Sequence, residues 1–221
     1  MLSGLALLLY TMSIVYTDVV RAILLFYLTP IWGTILARIF LGDAITPQRI
    51  FAMAGAVIGA LTIFGLGLQF PVPQNLGDWM GVGAGVIWAV ASLRINIYED
   101  YSAIKMTLGF FFWSLIFLII AALIFAPSYI LSVAQTLPAL PLLFIFIILL
   151  ILPSTYASLW GAKFLSPGVV GLWFMTKIVV GSISVALLSA KPFGVREAIG
   201  ILLITCASLI EPISSLIRRE H

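Results

Sequence analysis

The chain has 221 residues, of which 63% are hydrophobic and only 9% are charged, and its formal net charge is +3. A soluble domain carries about 25% charged residues. This chain therefore has too few polar groups to cover a globular surface, and its solvent must be lipid. Its basic residues are scattered between apolar runs, which is not the pattern of a protein with a nucleic-acid partner. Cys206 is the single cysteine and His221 the single histidine, so we expect neither an internal disulfide nor a histidine-based acid/base pair.

Eight apolar runs are long enough, or nearly so, to cross a bilayer as helices, since a span needs about 20 mostly apolar residues. They cover approximately residues 2–16, 22–41, 50–68, 77–93, 106–126, 140–162, 168–190 and 197–217. The runs are continuous, whereas the strands of a membrane β-barrel would alternate over about 10 residues. The sequence predicts an all-α membrane protein, a polytopic bundle of eight transmembrane helices joined by short linkers.

Several runs carry small, aromatic or hydroxyl residues on one helical face. The first run has Ser3, Ala6, Tyr10, Ser13 and Thr17, the fourth has Gly81, Gly85, Trp88 and Ser92, and the sixth has Pro153, Tyr156 and Trp160. Ordinary helix packing explains such stripes, because small residues let helix backbones approach closely. Tryptophans well inside a span favour a cavity instead, since tryptophans that anchor a protein in lipid concentrate at the interface. Trp88 and Trp173 are of this internal kind.

Lys177 lies near the middle of the seventh run, roughly 16 Å from the Ser166 end at about 1.5 Å rise per residue. A charge at that depth costs several kcal/mol unless it meets water, a counter-charge or a ligand. Helical spacing places Trp173, Phe174, Gly181 and Ser184 on its face. An aromatic and small-residue face beside a cation suits a cavity better than lipid.

The segment 25–33 is similar to the segment 172–180. Leu25, Thr29 and Ile31 recur as Leu172, Thr176 and Ile178, and Pro30 falls opposite Lys177. An odd number of spans separates the two copies, so they have opposite orientations in the membrane. Inverted repeats with a site near the midplane are typical of secondary transporters.

The stretch LTPIWGTILARIFLGDAITPQRIFAMAGAVIGALTIFG (28–65) resembles the EamA pattern of the drug/metabolite transporter superfamily. It has a mid-span proline, then Leu-Gly-acid with Thr close behind, then a glycine-rich span. Asp43 stands where that family usually has Glu, and it closes a turn or caps the next helix with Thr46. The second half matches less well, because Lys177 replaces the proline and Ala190 replaces the acid. The resemblance implies ten helices in two inverted five-helix repeats around a central cavity.

By this resemblance, residues 1–68 form an incomplete first repeat of three helices, residues 77–217 a second repeat of five, and residues 218–221 a cytoplasmic tail. The first two helices of the family are absent, and they would shield one polar stripe from lipid. That stripe is Ser3, Tyr10, Ser13 and Thr17. We expect the natural gene to encode roughly 60–80 more residues upstream, two spans of about 20 plus short connections, or else the chain to work as a homo-oligomer.

Three roles are open for Lys177. It binds the anionic group of a substrate, with Trp173 and Phe174 flanking an organic ligand. It pairs with an acid in the absent helices. Or it donates a hydrogen bond to a carbonyl that Pro30 or Pro153 leaves free.

The leading hypothesis is a multi-pass transporter of the cell (inner) membrane that moves a small anionic or zwitterionic organic metabolite by alternating access. The family resemblance implies export. The candidate substrate-binding residues are Lys177, Trp173, Phe174, Ser184, Tyr27, Pro30, Trp88 and Tyr156. No P-loop, HExxH motif or paired polar catalytic groups within spans occur, so we expect no enzyme activity, no cofactor and no metal. The alternative is a non-transporting membrane subunit, or a fragment that needs a partner chain.

The lysine and arginine distribution predicts that both termini are cytoplasmic. With Met1 inside and the spans alternating, the inside holds Arg38, Arg49, Arg94, Lys105, Lys163, Arg218 and Arg219, and the outside holds Arg21, Lys191 and Arg196. A reporter fused after His221 should therefore behave as cytoplasmic. A periplasmic signal from an intact fusion would reverse the orientation.

Overall fold

The structure is a computed structural model that describes residues 1–64, 72–98, 101–125, 137–188 and 194–219, without the side chains of residues 139, 182, 184–188 and 211–219. Throughout these ranges the regular elements are helices, and no strand occurs among them. The predicted all-α membrane fold is confirmed.

The helices follow the predicted runs. They are α1 (Leu2–Tyr16), α2 (Val19–Phe26), α3 (Thr29–Phe40), α4 (Pro47–Phe64), α5 (Leu76–Ile97), α6 (Ala103–Phe125), α7 (Leu140–Phe146), α8 (Leu152–Gly161), α9 (Pro167–Leu188) and α10 (Val195–Arg219). A π-helical segment, Ile147–Ile151, joins α7 to α8. Each of the eight predicted runs corresponds to one helix or to two consecutive helical segments.

Five of the described helical stretches are long and apolar enough to cross a membrane. They are Val19–Phe40, Pro47–Phe64, Leu76–Ile97, Ala103–Phe125 and Leu140–Gly161. Leu2–Tyr16 and Pro167–Gly181 are shorter apolar helices. The chain is thus a multi-pass membrane protein.

Pro30 separates α2 from α3 near mid-depth. A proline has no amide hydrogen for the carbonyl four residues earlier, here that of Phe26. The Thr29 hydroxyl takes that place and donates to the Phe26 carbonyl at 2.5 Å. Thr29 thus satisfies the carbonyl that Pro30 leaves free, and no hydrogen bond from Lys177 to it occurs among the described residues.

The motif Leu41-Gly42-Asp43 forms the turn between α3 and α4. Gly42 has a φ of +72°, the left-handed conformation that ends many helices and favours glycine. The Asp43 amide donates to the Ala37 carbonyl at 3.3 Å, which closes the turn. The cap of α4 is Thr46 alone, whose hydroxyl accepts from the Arg49 amide at 3.2 Å.

Glycines bring antiparallel helices into close contact at three places. A Cβ at Gly81 of α5 would lie 2.9 Å from the Ser13 hydroxyl of α1, and a Cβ at Gly171 of α9 would lie 2.7 Å from Cα of Pro30. A Cβ at Gly59 of α4 would lie 2.8 Å from a carbonyl of α10. These contacts pair α1 with α5, α3 with α9, and α4 with α10, and the main apolar core lies where α4, α9 and α10 meet.

The expectation that the stripe on α1 is open to lipid is wrong. Ser13 is fully buried, and Thr17 donates to Asp78 Oδ1 at 2.6 Å. The covering element is α5, which approaches closely because Gly77 and Gly81 have no side chains. The open apolar surface lies elsewhere, on the rod Leu140–Gly161, of which 6% is buried inside the protein.

The two ends of the bundle differ in charge. One end carries five basic residues of the described part of the chain: Arg38, Arg49, Arg94, Lys105 and Lys163. We name it the basic end. The starts of α4 and α9 are joined there, because Arg49 Nη2 donates to the Ser166 hydroxyl at 3.2 Å and Arg49 Nη1 lies 3.6 Å from Asp43 Oδ2.

At the opposite end, a buried ion pair joins α1, α2 and α5. The Arg21 guanidinium lies 2.5 Å from Asp78 Oδ2, and the Asp78 side chain is 0% exposed. Asp78 also accepts from the Thr17 hydroxyl at 2.6 Å and from the Gln74 amide at 2.9 Å. A carboxylate with this many donors can stay ionised out of water.

We predict that Arg21→Gln lowers the free energy of unfolding by about 3 kcal/mol, because it leaves the Asp78 charge buried without its partner. Adding Asp78→Asn should restore part of the loss, since both charges are then gone. Unfolding in mixed micelles measures the effect.

The matched control is Arg196→Gln. Arg196 pairs with Glu197 at 3.2 Å but is 58% exposed, and exposed pairs contribute little. Equal losses for Arg21→Gln and Arg196→Gln would contradict the assignment of the Arg21–Asp78 pair as a structural junction.

Candidate functional site

A cavity of about 190 Å³ lies at mid-depth between α1, α2, α5, α6, α8 and α9. We name it the central cavity. Its aromatic wall is Tyr10, Phe26, Tyr27, Trp88, Phe110 and Phe174, and its polar groups include Thr155, Ser158 and Lys177. The cavity lies at mid-depth because its lining residues lie near the middle of their helical stretches. Tyr27 lies at the α2–α3 break, and Trp88 and Lys177 lie near the centres of α5 and α9.

Lys177 is the cation of this cavity. Lys177 is an exposed residue of α9, and its Nζ lies 4.2 Å from the centroid of the Phe174 ring, a cation–π contact. Among the described residues no carboxylate lies within ion-pair distance of Lys177, and it donates to no backbone carbonyl. The cavity is therefore positively charged and complementary to an anionic group.

Two groups of rings form the aromatic wall. Trp88 lies 5.1 Å from Phe174 and 6.2 Å, edge-on, from Phe110, measured between ring centroids. Across the cavity, Phe26 lies 4.7 Å from Tyr10 and 5.5 Å from Tyr27. These tilted and edge-on contacts make a rigid apolar surface on which an organic ligand can pack.

The indole nitrogen of Trp88 is buried and has no hydrogen-bond partner among the residues that the structure describes. Buried polar groups nearly always have a partner. The Trp88 N–H is therefore a buried donor without a described partner, on a residue that lines the cavity and packs against Phe174.

Four of the sequence-predicted site residues meet at the central cavity: Tyr27, Trp88, Phe174 and Lys177. Pro30 does not line it, because Pro30 is buried against Gly171. Tyr156 does not line it either and is 38% exposed. The side chain of Ser184 lies outside the described residues.

Trp173 lies on a second, lateral groove of about 480 Å³ between α8 and α9. It is 48% exposed. Successive helix residues are separated by about 100°, because an α-helix has 3.6 residues per turn. Trp173 points about 100° away from Phe174 and lines only the groove, whereas Lys177 lines both the cavity and the groove.

Several lining residues carried no functional assignment from the sequence. Thr155 and Ser158 are hydroxyls three residues apart on α8, and this spacing could have indicated a polar face. Phe110 has no such signal, because α6 is apolar on all sides. Tyr10 was placed on a packing stripe rather than in the site.

No group of three or more His, Cys, Asp or Glu side chains that could hold a metal ion occurs in the part of the chain that the structure describes. The central cavity has one cation, hydroxyls and rings. This set can bind and orient an organic anion.

The fold defines a polytopic helical membrane protein, and its helices enclose an aromatic-lined cavity at mid-depth. Residues 1–65 match the EamA-like transporter family, part of the drug/metabolite transporter superfamily, which confirms the resemblance seen in residues 28–65.

Two further comparisons concern whole chains. A solved structure titled "Crystal structure of protein" is similar to this chain with a TM-score of 0.76 and 18% sequence identity, over 99% of this chain and 77% of that one. At this identity the likeness concerns the fold. No curated protein matches the sequence.

Proposed function

We propose that the protein is a secondary transporter that moves a small organic metabolite with an anionic group by alternating access at the central cavity. The observation that carries the proposal is Lys177, a lysine at mid-depth beside a cavity and without an acidic partner among the described residues. An unpaired charge at that depth is costly, and binding an anion offsets the cost. The match of residues 1–65 to a transporter family supports this reading.

The substrate would bind with its anionic group on Lys177 Nζ. The buried N–H of Trp88 is a second donor for the same molecule. The rings of Phe26, Tyr27 and Phe174 would pack against its apolar part. A zwitterionic substrate can place its ammonium group on ring faces or on the Ser158 hydroxyl.

The helix contacts support a cycle in which α3 and α9 separate. The two helices pack closely in their halves near the basic end, where a Cβ at Gly33 would lie 2.5 Å from the Pro167 carbonyl. Further along α9, Val180 is 64% exposed and a Cβ at Gly181 would meet no atom of the described residues within 4 Å. The contact between α3 and α9 is thus tight toward the basic end and looser toward the other end.

The same pairing supports the proposed inverted repeats, residues 1–68 and 77–217. The helices α3 and α9 contain the two copies of the internal similarity, residues 25–33 and 172–180, and they pack antiparallel, as do the helices that follow them, α4 and α10. We propose that the basic end is cytoplasmic in the inner membrane, following the basic-residue asymmetry, and that transport is outward, following the family resemblance.

We predict that Lys177→Met preserves the fold and weakens substrate binding about 10- to 100-fold, because a charge-assisted hydrogen bond is lost. Methionine keeps the side-chain length and removes the charge from the span. The measurement is uptake into proteoliposomes across a panel of radiolabelled amino acids, monocarboxylates and dicarboxylates.

The matched control for this prediction is Lys163→Met. Lys163 is a half-buried lysine at the basic end and does not line the central cavity. Unchanged uptake by correctly inserted Lys177→Met protein would remove Lys177 from the mechanism. An equal decrease in both variants would indicate a general charge effect.

A second candidate function is a subunit that needs a partner chain, and one observation favours it. The rod Leu140–Gly161 is strongly apolar, and 6% of it is buried, compared with 39% of Leu76–Ile97. Such a surface faces either lipid or another helix. We predict that, if a partner covers it, Leu149→Trp, at a site 66% exposed, will disrupt an oligomer that native mass spectrometry of nanodisc-embedded protein detects. Transport by a monomer would refute this candidate.

A further inference from the structure

The lateral groove between α8 and α9 opens into the central cavity, because Ser158, Phe174 and Lys177 line both of them. The α8 side of the groove consists largely of small residues at helical spacing, which are Ser154, Ala157, Ser158 and Gly161. Such residues let a second helix backbone approach closely. A Cβ at Gly161 would meet no atom of the described residues within 4 Å, so this side of α8 is open.

The internal similarity of the chain relates this groove to one in the first half. The offset from Leu25 to Leu172 is 147 residues. The same offset places α1 on residues 149–163, which include α8, and places the stretch from α2 to α3 on residues 166–187, which cover nearly all of α9. The lateral groove is therefore the counterpart of the groove between α1 and α3. That groove is filled by α5, which packs against α1, α2 and α3.

The same side-chain hydrogen bond occurs in both halves and supports this correspondence. The Thr29 hydroxyl donates to the Phe26 carbonyl at 2.5 Å, and the Thr176 hydroxyl donates to the Trp173 carbonyl at 2.6 Å. In the first half α5 covers this point, since a Cβ at Gly85 would lie 2.9 Å from the Phe26 carbonyl oxygen. In the second half Trp173 is 48% exposed.

Two further contacts of α5 have uncovered counterparts. Other glycines of α5 pack closely against Ser13 and Thr17 of the first half. The residues 147 positions later are Trp160 and Phe164, which are 51% and 64% exposed. Three large aromatic side chains of the second half are thus open at the places where a helix packs in the first half.

We propose that the lateral groove is the docking site of a further membrane-spanning helix, which lies against α8 and α9 as α5 lies against α1 and α3. Its packing face carries small residues, like Gly77, Gly81 and Gly85 of α5. It runs antiparallel to α8, because α5 runs antiparallel to α1. This helix would complete the wall of the central cavity beside Lys177, a role that rests on the proposed function.

The helix comes from outside residues 1–221. The longest stretch of this chain that the structure does not describe is residues 126–136, and a span needs about 20 residues. The fold can include such a helix, since the similar solved structure is matched over 77% of its own length and part of its chain lies outside the match.

The test measures whether lipid or a helix occupies the groove. Trp160→Cys in a Cys206→Ala background carries the fluorophore NBD at the edge of the groove, in nanodiscs that contain doxyl-labelled phosphatidylcholine as quencher. The probe is a synthetic peptide with the sequence Leu76–Ile97, that of α5. We expect the peptide to reduce quenching by about half, because it displaces lipid from the groove.

The peptide control carries Gly81→Leu and Gly85→Leu, which remove the small packing face, and it should give no protection. In the protein, Gly161→Leu fills the groove and should abolish protection. Its matched control is Gly109→Leu on α6, outside the groove, which should keep it. A Cβ at either glycine would meet no atom of the described residues within 4 Å, so both variants are compatible with the fold.

Three results would overturn the proposal. Equal quenching with and without the α5 peptide would assign the groove to lipid. Protection that survives in the Gly81→Leu, Gly85→Leu peptide or in the Gly161→Leu protein would be non-specific. Protection without any peptide, seen in nanodiscs with two copies but not with one, would assign the groove to a second copy of this chain. The measurement needs no substrate, so its outcome is independent of the transport result for Lys177→Met.

Discussion

Pro30 has no amide hydrogen for the carbonyl of Phe26, and the helical rod from Val19 to Phe40 is interrupted at that point. The break turns Phe26 and Tyr27 toward the central cavity. The proline ring also faces Gly171, which lets α9 approach closely. That approach sets the position of Phe174 and Lys177, one turn and two turns further along α9. One missing hydrogen bond thus positions both sides of the site.

Two charged side chains of the bundle, Asp78 at one end and Lys177 at mid-depth, have opposite environments. Asp78 is fully buried and surrounded by donors, including the Arg21 guanidinium at 2.5 Å. Lys177 has a ring face at 4.2 Å and no acid among the described residues. The first arrangement is complete and joins three helices. Lys177 lacks an anionic partner among the described residues until an anion binds. We therefore propose that Lys177 binds substrate and that Asp78 stabilises the fold.

Hydropathy predicted the eight helical runs because a bilayer imposes their length, and a mid-span lysine was enough to locate α9 as a site helix. Helical spacing could not decide which neighbours of Lys177 face inward, so Trp173 and Tyr156 were wrongly placed on the cavity. Ser13 was expected to face lipid, but it is buried by α5, a helix distant in sequence whose contact with α1 the sequence did not reveal. Phe110 was missed because an entirely apolar helix gives no sign of which side it buries.

The π-helical segment Ile147–Ile151 sits directly before α8, and its wide turn holds one residue more than an α-helical turn would. The Leu152 amide accordingly donates to the Ile147 carbonyl, five residues back. This extra residue rotates the side chains of α8 by about 100° around the helix axis relative to those of α7. With this rotation, the Thr155 and Ser158 hydroxyls line the central cavity and Tyr156 does not. The π-helical turn thus determines which side chains of α8 face the cavity.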